Sequence, residues 1–127
     1  MIKSFLTTAI TMLAIDAFWL VSMKATYDKW LSSFDRIINW PAVGLVYFFI
    51  PFGLTWLVVS KNLGQGITTK ALLDSFVYGI CAYAVYDLTN LATLKNWSIT
   101  MTIVDIIWGG VLCTITTAAA LFILNKF

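Results

Sequence analysis

Apolar residues run almost unbroken through four stretches of this chain: Phe5 to Met23, Ala42 to Ser60, Ala71 to Thr93 and Ile99 to Leu124. Each comes near or above the ~20 residues that an α-helix needs to cross the hydrocarbon core of a bilayer. In that solvent every backbone N–H and C=O must find its partner inside the segment, which a helix achieves and an isolated strand does not. The pattern therefore predicts an all-α polytopic membrane protein with four transmembrane helices. Together they make one four-helix domain over residues 1–127, with both termini on the same side. The first stretch reads as a retained helix, because Asp16 interrupts its apolar core and no small-x-small cleavage site follows Met23.

The connections carry their own pattern. Tyr27, Trp30, Leu31, Phe34, Ile37 and Ile38 recur at spacings of three and four, with Lys24, Asp28, Lys29, Asp35 and Arg36 between them. This spacing predicts an amphipathic helix lying in the membrane interface between the first and second spans. Pro41 suits the first turn of helix two, and Pro51 removes a backbone bond to Tyr47 and bends that helix. Gly64-Gln65-Gly66 predicts a turn, with Thr68 or Thr69 as the cap of helix three. The short Lys95-Asn96-Trp97-Ser98 connection makes helices three and four antiparallel neighbours. Gly110, Thr114 and Ala118 form a small-residue stripe for close helix approach.

Composition agrees with the hydropathy pattern: 61% of residues are hydrophobic, 11% are charged, and the mean hydropathy is +0.90. That balance excludes an ordinary soluble domain. The eight basic residues are too few and scattered for nucleic-acid binding, and the chain carries no nucleotide loop, zinc motif or catalytic serine box. Lys3, Lys61, Lys70 and Lys126 flank one face and Lys24, Lys29, Arg36 and Lys95 the other. The basic count that normally sets orientation is tied. Asp28 and Asp35 offset the second set, which favours both termini in the cytoplasm. Cys81 and Cys113 lie within spans and read as small packing residues.

Against this background three aspartates stand out: Asp16, Asp87 and Asp105 each interrupt an apolar span. An acid at the centre of a membrane helix costs at least ~2.5 kcal/mol on insertion scales, so three of them call for a shared reason. They lie six or seven residues from the helix ends at Met23, Thr93 and Ile99, which places them in one layer roughly 10 Å deep at 1.5 Å per residue. Helical spacing sets Tyr83, Tyr86 and Asn90 around Asp87 and Thr102 beside Asp105, and places Trp19 and Trp108 three residues after an aspartate. Asp87, Asp16 and Asp105 are thus the candidate catalytic residues, with Tyr83, Tyr86, Asn90, Trp19 and Trp108 as candidate substrate-binding residues. The chain has no histidine. Only a snorkelling Lys24, Arg36 or Lys95 could reach the acids. An all-oxygen set would suit a hard cation, but no metal-spacing motif supports one, so no metal and no cofactor is expected. The plainer alternative is that the acids are polar glue between helices, worth ~0.6 kcal/mol each. Asp74, near the start of helix three, reads as structural.

Helices one and four share a motif. Ile10-Thr11-Met12, Asp16 and Trp19 recur at the same spacing as Ile99-Thr100-Met101, Asp105 and Trp108. In antiparallel helices this is what an inverted repeat would leave, and convergence would give the same result.

Several strings together resemble a known family: Tyr83-Ala84-Val85-Tyr86-Asp87-Leu88-Thr89-Asn90-Leu91-Ala92-Thr93-Leu94, Ala14 to Leu20, Asn39-Trp40-Pro41 and Val104 to Gly109. With these the chain resembles, over essentially its whole length, the bacterial membrane-protein family called domain of unknown function 2177. The resemblance implies a small four-span protein of the bacterial inner membrane. Asp16, Trp19, Pro41, Tyr83, Tyr86, Asp87, Asn90, Thr93, Asp105, Trp108 and Gly109 match the family pattern. It brings no established activity, only an association of relatives with genes for modifying fatty-acyl chains.

Three functions fit these features. One is a site that binds, or assists modification of, a lipid or other membrane-partitioned small molecule, with Asp87 as the acid or base. Another is a proton-coupled transporter working as a homodimer, with Asp16 exchanging proton for substrate. The third is a noncatalytic accessory subunit or chaperone for a membrane-protein partner.

Overall fold

The computed structural model describes residues 1–127 and is helical throughout. Its elements are α1 (Ile2–Trp30), α2 (Trp40–Leu54), α3 (Thr69–Thr93) and α4 (Ile99–Lys126). Helix α2 continues through a π-helical turn at Thr55–Val59 and a 3-10 turn at Ser60–Asn62, so the second apolar element runs from Trp40 to Asn62. All four are long and apolar enough to cross a membrane.

The helix starts follow from side-chain capping. The side chains of Asn39, Thr68 and Ser98 accept hydrogen bonds from the backbone N–H of Ala42, Ala71 and Met101. Each cap satisfies a donor that the helix itself leaves orphaned. Pro41 sits in the first turn of α2, where its missing N–H is no loss. Gly64 and Gly66 both adopt positive φ, which lets the chain reverse between α2 and α3.

The expected interfacial helix between the first and second spans is not present. Helix α1 absorbs the first part of that segment and runs on to Trp30, and residues 31–39 form turns and irregular chain before α2. Helix α1 has 29 residues, about 43 Å at 1.5 Å per residue, longer than the ~30 Å hydrocarbon core. The amphipathic spacing after Met23 thus belongs to the last turns of α1. There Asp28 accepts from Lys24 at 2.8 Å and from Arg36 at 2.7 Å. Two of the three basic side chains expected to reach the acid layer are therefore engaged at the surface.

Helix α4 is the most enclosed element and packs against both α1 and α3. Its closest approach is to α3. A Cβ built on Gly79 would lie 2.1 Å from the backbone oxygen of Gly109, so the two main chains meet there directly. Phe76 and Ile80 of α3 cover Gly110, which supplies the partner for the small-residue stripe. The inward face of α3 is spaced by four (Ala71, Ser75, Gly79) and reaches Asp87 two turns beyond Gly79. The inward face of α1 has the same spacing: Ser4, Thr8, Met12 and Asp16. Each of these lines of small or flexible side chains ends in an aspartate at the same end of the bundle.

Helix α2 accommodates Pro51 within its length. The lost backbone bond is followed by the π-turn, where Thr55 Oγ1 donates to the Pro51 oxygen at 2.7 Å and Tyr78 OH of α3 donates to the Ile50 oxygen at 2.8 Å. The Tyr78 contact needs the space at Gly53, whose added Cβ would fall 2.3 Å from that hydroxyl. Gly53→Ala is expected to displace Tyr78 and lower stability by about 1–3 kcal/mol, read as a lower midpoint of thermal unfolding in detergent. Gly53→Ala combined with Tyr78→Phe should show a smaller loss than the sum of the two.

Candidate functional site

The three acids of α1, α3 and α4 stand at the same end of the bundle but fall into two environments. Asp16 is 5% exposed and well satisfied. It accepts from Trp108 Nε1 of α4 at 3.0 Å and also from the hydroxyl of Tyr47 on α2. Two donors on one carboxylate, in a place that water does not reach, fix the mutual positions of α1, α2 and α4.

Asp105 accepts from the hydroxyl of Tyr27 at 2.8 Å, and Tyr27 in turn accepts from Trp19 Nε1 at 3.2 Å. The two indoles stack, with ring centroids 4.2 Å apart and planes 6° from parallel. The shared motif of α1 and α4 thus acquires a geometry. The tryptophan of each helix points its N–H toward the carboxylate of the other, directly in one direction and through Tyr27 in the other. The stacked pair brings the repeated motifs of these antiparallel segments into contact.

Asp87 differs from both. It is 1% exposed, and neither carboxyl oxygen receives a hydrogen bond from any donor group. The polar group within side-chain reach is the Asp105 carboxyl. The flanking residues expected to serve it do not. Tyr86 is 58% exposed, lies within side-chain reach of Asn90, and meets Trp97 edge-on at 6.1 Å. Tyr83 packs against Gly109 and faces both Asp16 and Asp105 electrostatically. Thr102 turns back to the Ser98 oxygen at 2.8 Å and gives nothing to Asp105. Asp74 pairs with Lys70 at 2.6 Å near the start of α3. The three acids do not converge as one ligand set for a metal ion.

A cleft of about 510 Å³ opens between α2 and α3, elements that otherwise touch little. Val43, Val46, Phe49, Ile50 and Ala82 give it apolar walls, and Tyr47, Tyr83, Tyr86 and Asp105 converge on it. Asp105 is the only ionisable acid on its lining, and no lysine or arginine lines it. Phe34 meets Trp97 edge-on at 5.6 Å, and Trp97 meets Tyr86, so residues from both connections form an aromatic roof beside this end of the cleft.

Two site residues, Tyr27 and Tyr47, were not among those singled out by sequence pattern. Tyr27 counted there as part of an interfacial stripe and Tyr47 only as the residue four before Pro51. The available signal was their hydroxyls, each carried near the depth of an otherwise donor-poor acid.

No curated protein and no solved structure matches the chain. The family model described as "Predicted membrane protein (DUF2177)" matches residues 1–122. With four apolar helices and a match over nearly its whole length, the chain is a multi-pass membrane protein and belongs to that family.

Proposed function

We propose that the protein binds a membrane-partitioned amphiphile, with the apolar chain in the cleft between α2 and α3 and the head group at Asp105. The observation that carries this reading is the lining. The walls are apolar along the cleft, and one carboxylate stands among three tyrosines at its polar side. Ligand sites commonly have this form, a mostly apolar cavity of roughly 300–1,000 Å³ with a few polar groups that orient the ligand. A purely structural cleft would have no use for an acid with a single donor partner. The family resemblance supports the bacterial inner membrane as the location, and the offset of the second basic set by Asp28 and Asp35 supports both termini being cytoplasmic.

A proton-coupled transporter is the second reading. It is favoured by the neighbouring acids Asp87 and Asp105, which have no lysine or arginine partner, and by the motif repeated in α1 and α4. In this reading Asp105 and Asp87, rather than Asp16, carry the exchange, because Asp16 is already held by two donors.

Filling the cleft tests the first reading. Native mass spectrometry of the purified wild-type protein is expected to show a co-purifying amphiphile that survives gentle detergent exchange. Ala82→Trp, which places an indole in the cleft, should reduce its occupancy at least tenfold, about 1.4 kcal/mol. Equal retention by both proteins would place the bound molecule elsewhere.

A further inference from the structure

Charge in and behind the cleft narrows the head group. Asp105 lies at the cleft wall, and behind it Asp87 is enclosed, 1% exposed and without a donor to either oxygen. No lysine or arginine forms an ion pair with either acid; the chain's ion pairs are Lys24 and Arg36 with Asp28, and Lys70 with Asp74. The Tyr27 hydroxyl is the one neutral donor that Asp105 receives. An unbalanced charge of this kind in a low-dielectric setting is costly, and it is the feature a bound cation would relieve.

The surroundings point the same way. Tyr47, Tyr83 and Tyr86 present aromatic rings to the cleft, and ring faces attract an ammonium group. The lining holds no basic side chain to receive a carboxylate or phosphate. An anionic head would meet the Asp105 carboxylate with nothing to offset the repulsion.

Resting on the reading that the cleft binds an amphiphile, we infer that the site selects a long-chain ammonium amphiphile, with Asp105 as counter-ion. The ammonium N–H groups donate to Asp105, and the apolar chain lies along Val46, Phe49 and Ala82.

The test is a head-group series at constant chain length. The full-length protein, in micelles of a neutral double-chained glycoside detergent, is titrated calorimetrically with dodecylammonium, dodecanol and dodecanoate, each corrected against protein-free micelles. Dodecylammonium is expected to bind about tenfold or more tighter than dodecanol, the ratio that separates a charge-assisted from a neutral hydrogen bond, and dodecanoate weakest. Asp105→Asn should bring the ammonium and alcohol affinities within about threefold, while Asp105→Glu should keep the preference. Dodecanol or dodecanoate binding as tightly as dodecylammonium would overturn the charge selection and leave cleft binding standing. No binding of any of the three, with Ala82→Trp indistinguishable from wild type, would overturn cleft binding itself. The wild-type series decides the head group even where an Asp105 variant fails to fold.

Discussion

Gly79→Ala is expected to separate α3 from α4 and to produce the largest stability loss of any single methyl group added to this chain. The new Cβ would stand 2.1 Å from the Gly109 oxygen, 2.7 Å from its carbonyl carbon and 2.9 Å from the Gly110 Cα. All three are main-chain atoms of a helix, so no side-chain rotation relieves the clash and α4 must move as a body. Overpacking a well-filled interior costs about 1–3 kcal/mol when side chains absorb it, and more when a backbone must shift. Helix association in a membrane depends on close packing rather than on hydrophobic exclusion, so the lost contact is not recovered by burial elsewhere. The expected result is a fall of roughly 10 °C in the thermal midpoint of the detergent-solubilised protein, scaled at about 3 °C per kcal/mol. Gly44→Ala is the control: nothing lies within 4 Å of its added Cβ, and replacing glycine in a helix favours the helix. Equal midpoints for Gly79→Ala and wild type would mean that the α3 and α4 main chains are not in contact.

Much of the architecture was written in local pattern. The four apolar stretches set the helices, the Gly64 to Gly66 turn and the Thr68 cap came from backbone preferences, and Pro41 announced the first turn of α2. The segment after Met23 was misread because periodicity reports a helical face and not where one helix ends. The same spacing of Tyr27, Trp30 and Leu31 serves the extension of α1 as well as it would serve a separate interfacial helix. Residues 34–38 keep the apolar spacing without the helix, and there Phe34 is used against Trp97.

The candidate site was legible as a depth and not as a set of partners. Counting residues from helix ends brought Asp16, Asp87 and Asp105 to one end of the bundle, because rise per residue is fixed. Which donor meets which acid depends on helix rotation and crossing, and these are set by packing between helices, including the Gly79–Gly109 approach. Neighbours on the same helix therefore misled: Tyr83, Asn90 and Thr102 were near in sequence, while Tyr47 and Trp108 hold Asp16 from other helices. The repeated Asp and Trp of α1 and α4 were informative because antiparallel packing brings identical spacings to the same level. The stacking of Trp19 on Trp108 could not be read from either helix alone.

Asp16→Leu is expected to lower stability and Asp87→Leu to leave it unchanged or raise it, because only the first acid holds donors from other helices. Asp16→Leu would leave the Tyr47 hydroxyl and the Trp108 N–H without their acceptor. Orphaned donors away from water cost about 1–3 kcal/mol each, so the midpoint of thermal unfolding should fall by roughly as much as in Gly79→Ala. Asp87 receives no donor, so Asp87→Leu strands none. Burying a carboxyl without a hydrogen-bond donor costs free energy that an apolar side chain does not incur. The Asp87→Leu protein should therefore melt at or above the wild-type temperature. If Asp87→Leu instead melts as low as Asp16→Leu, Asp87 holds the bundle together.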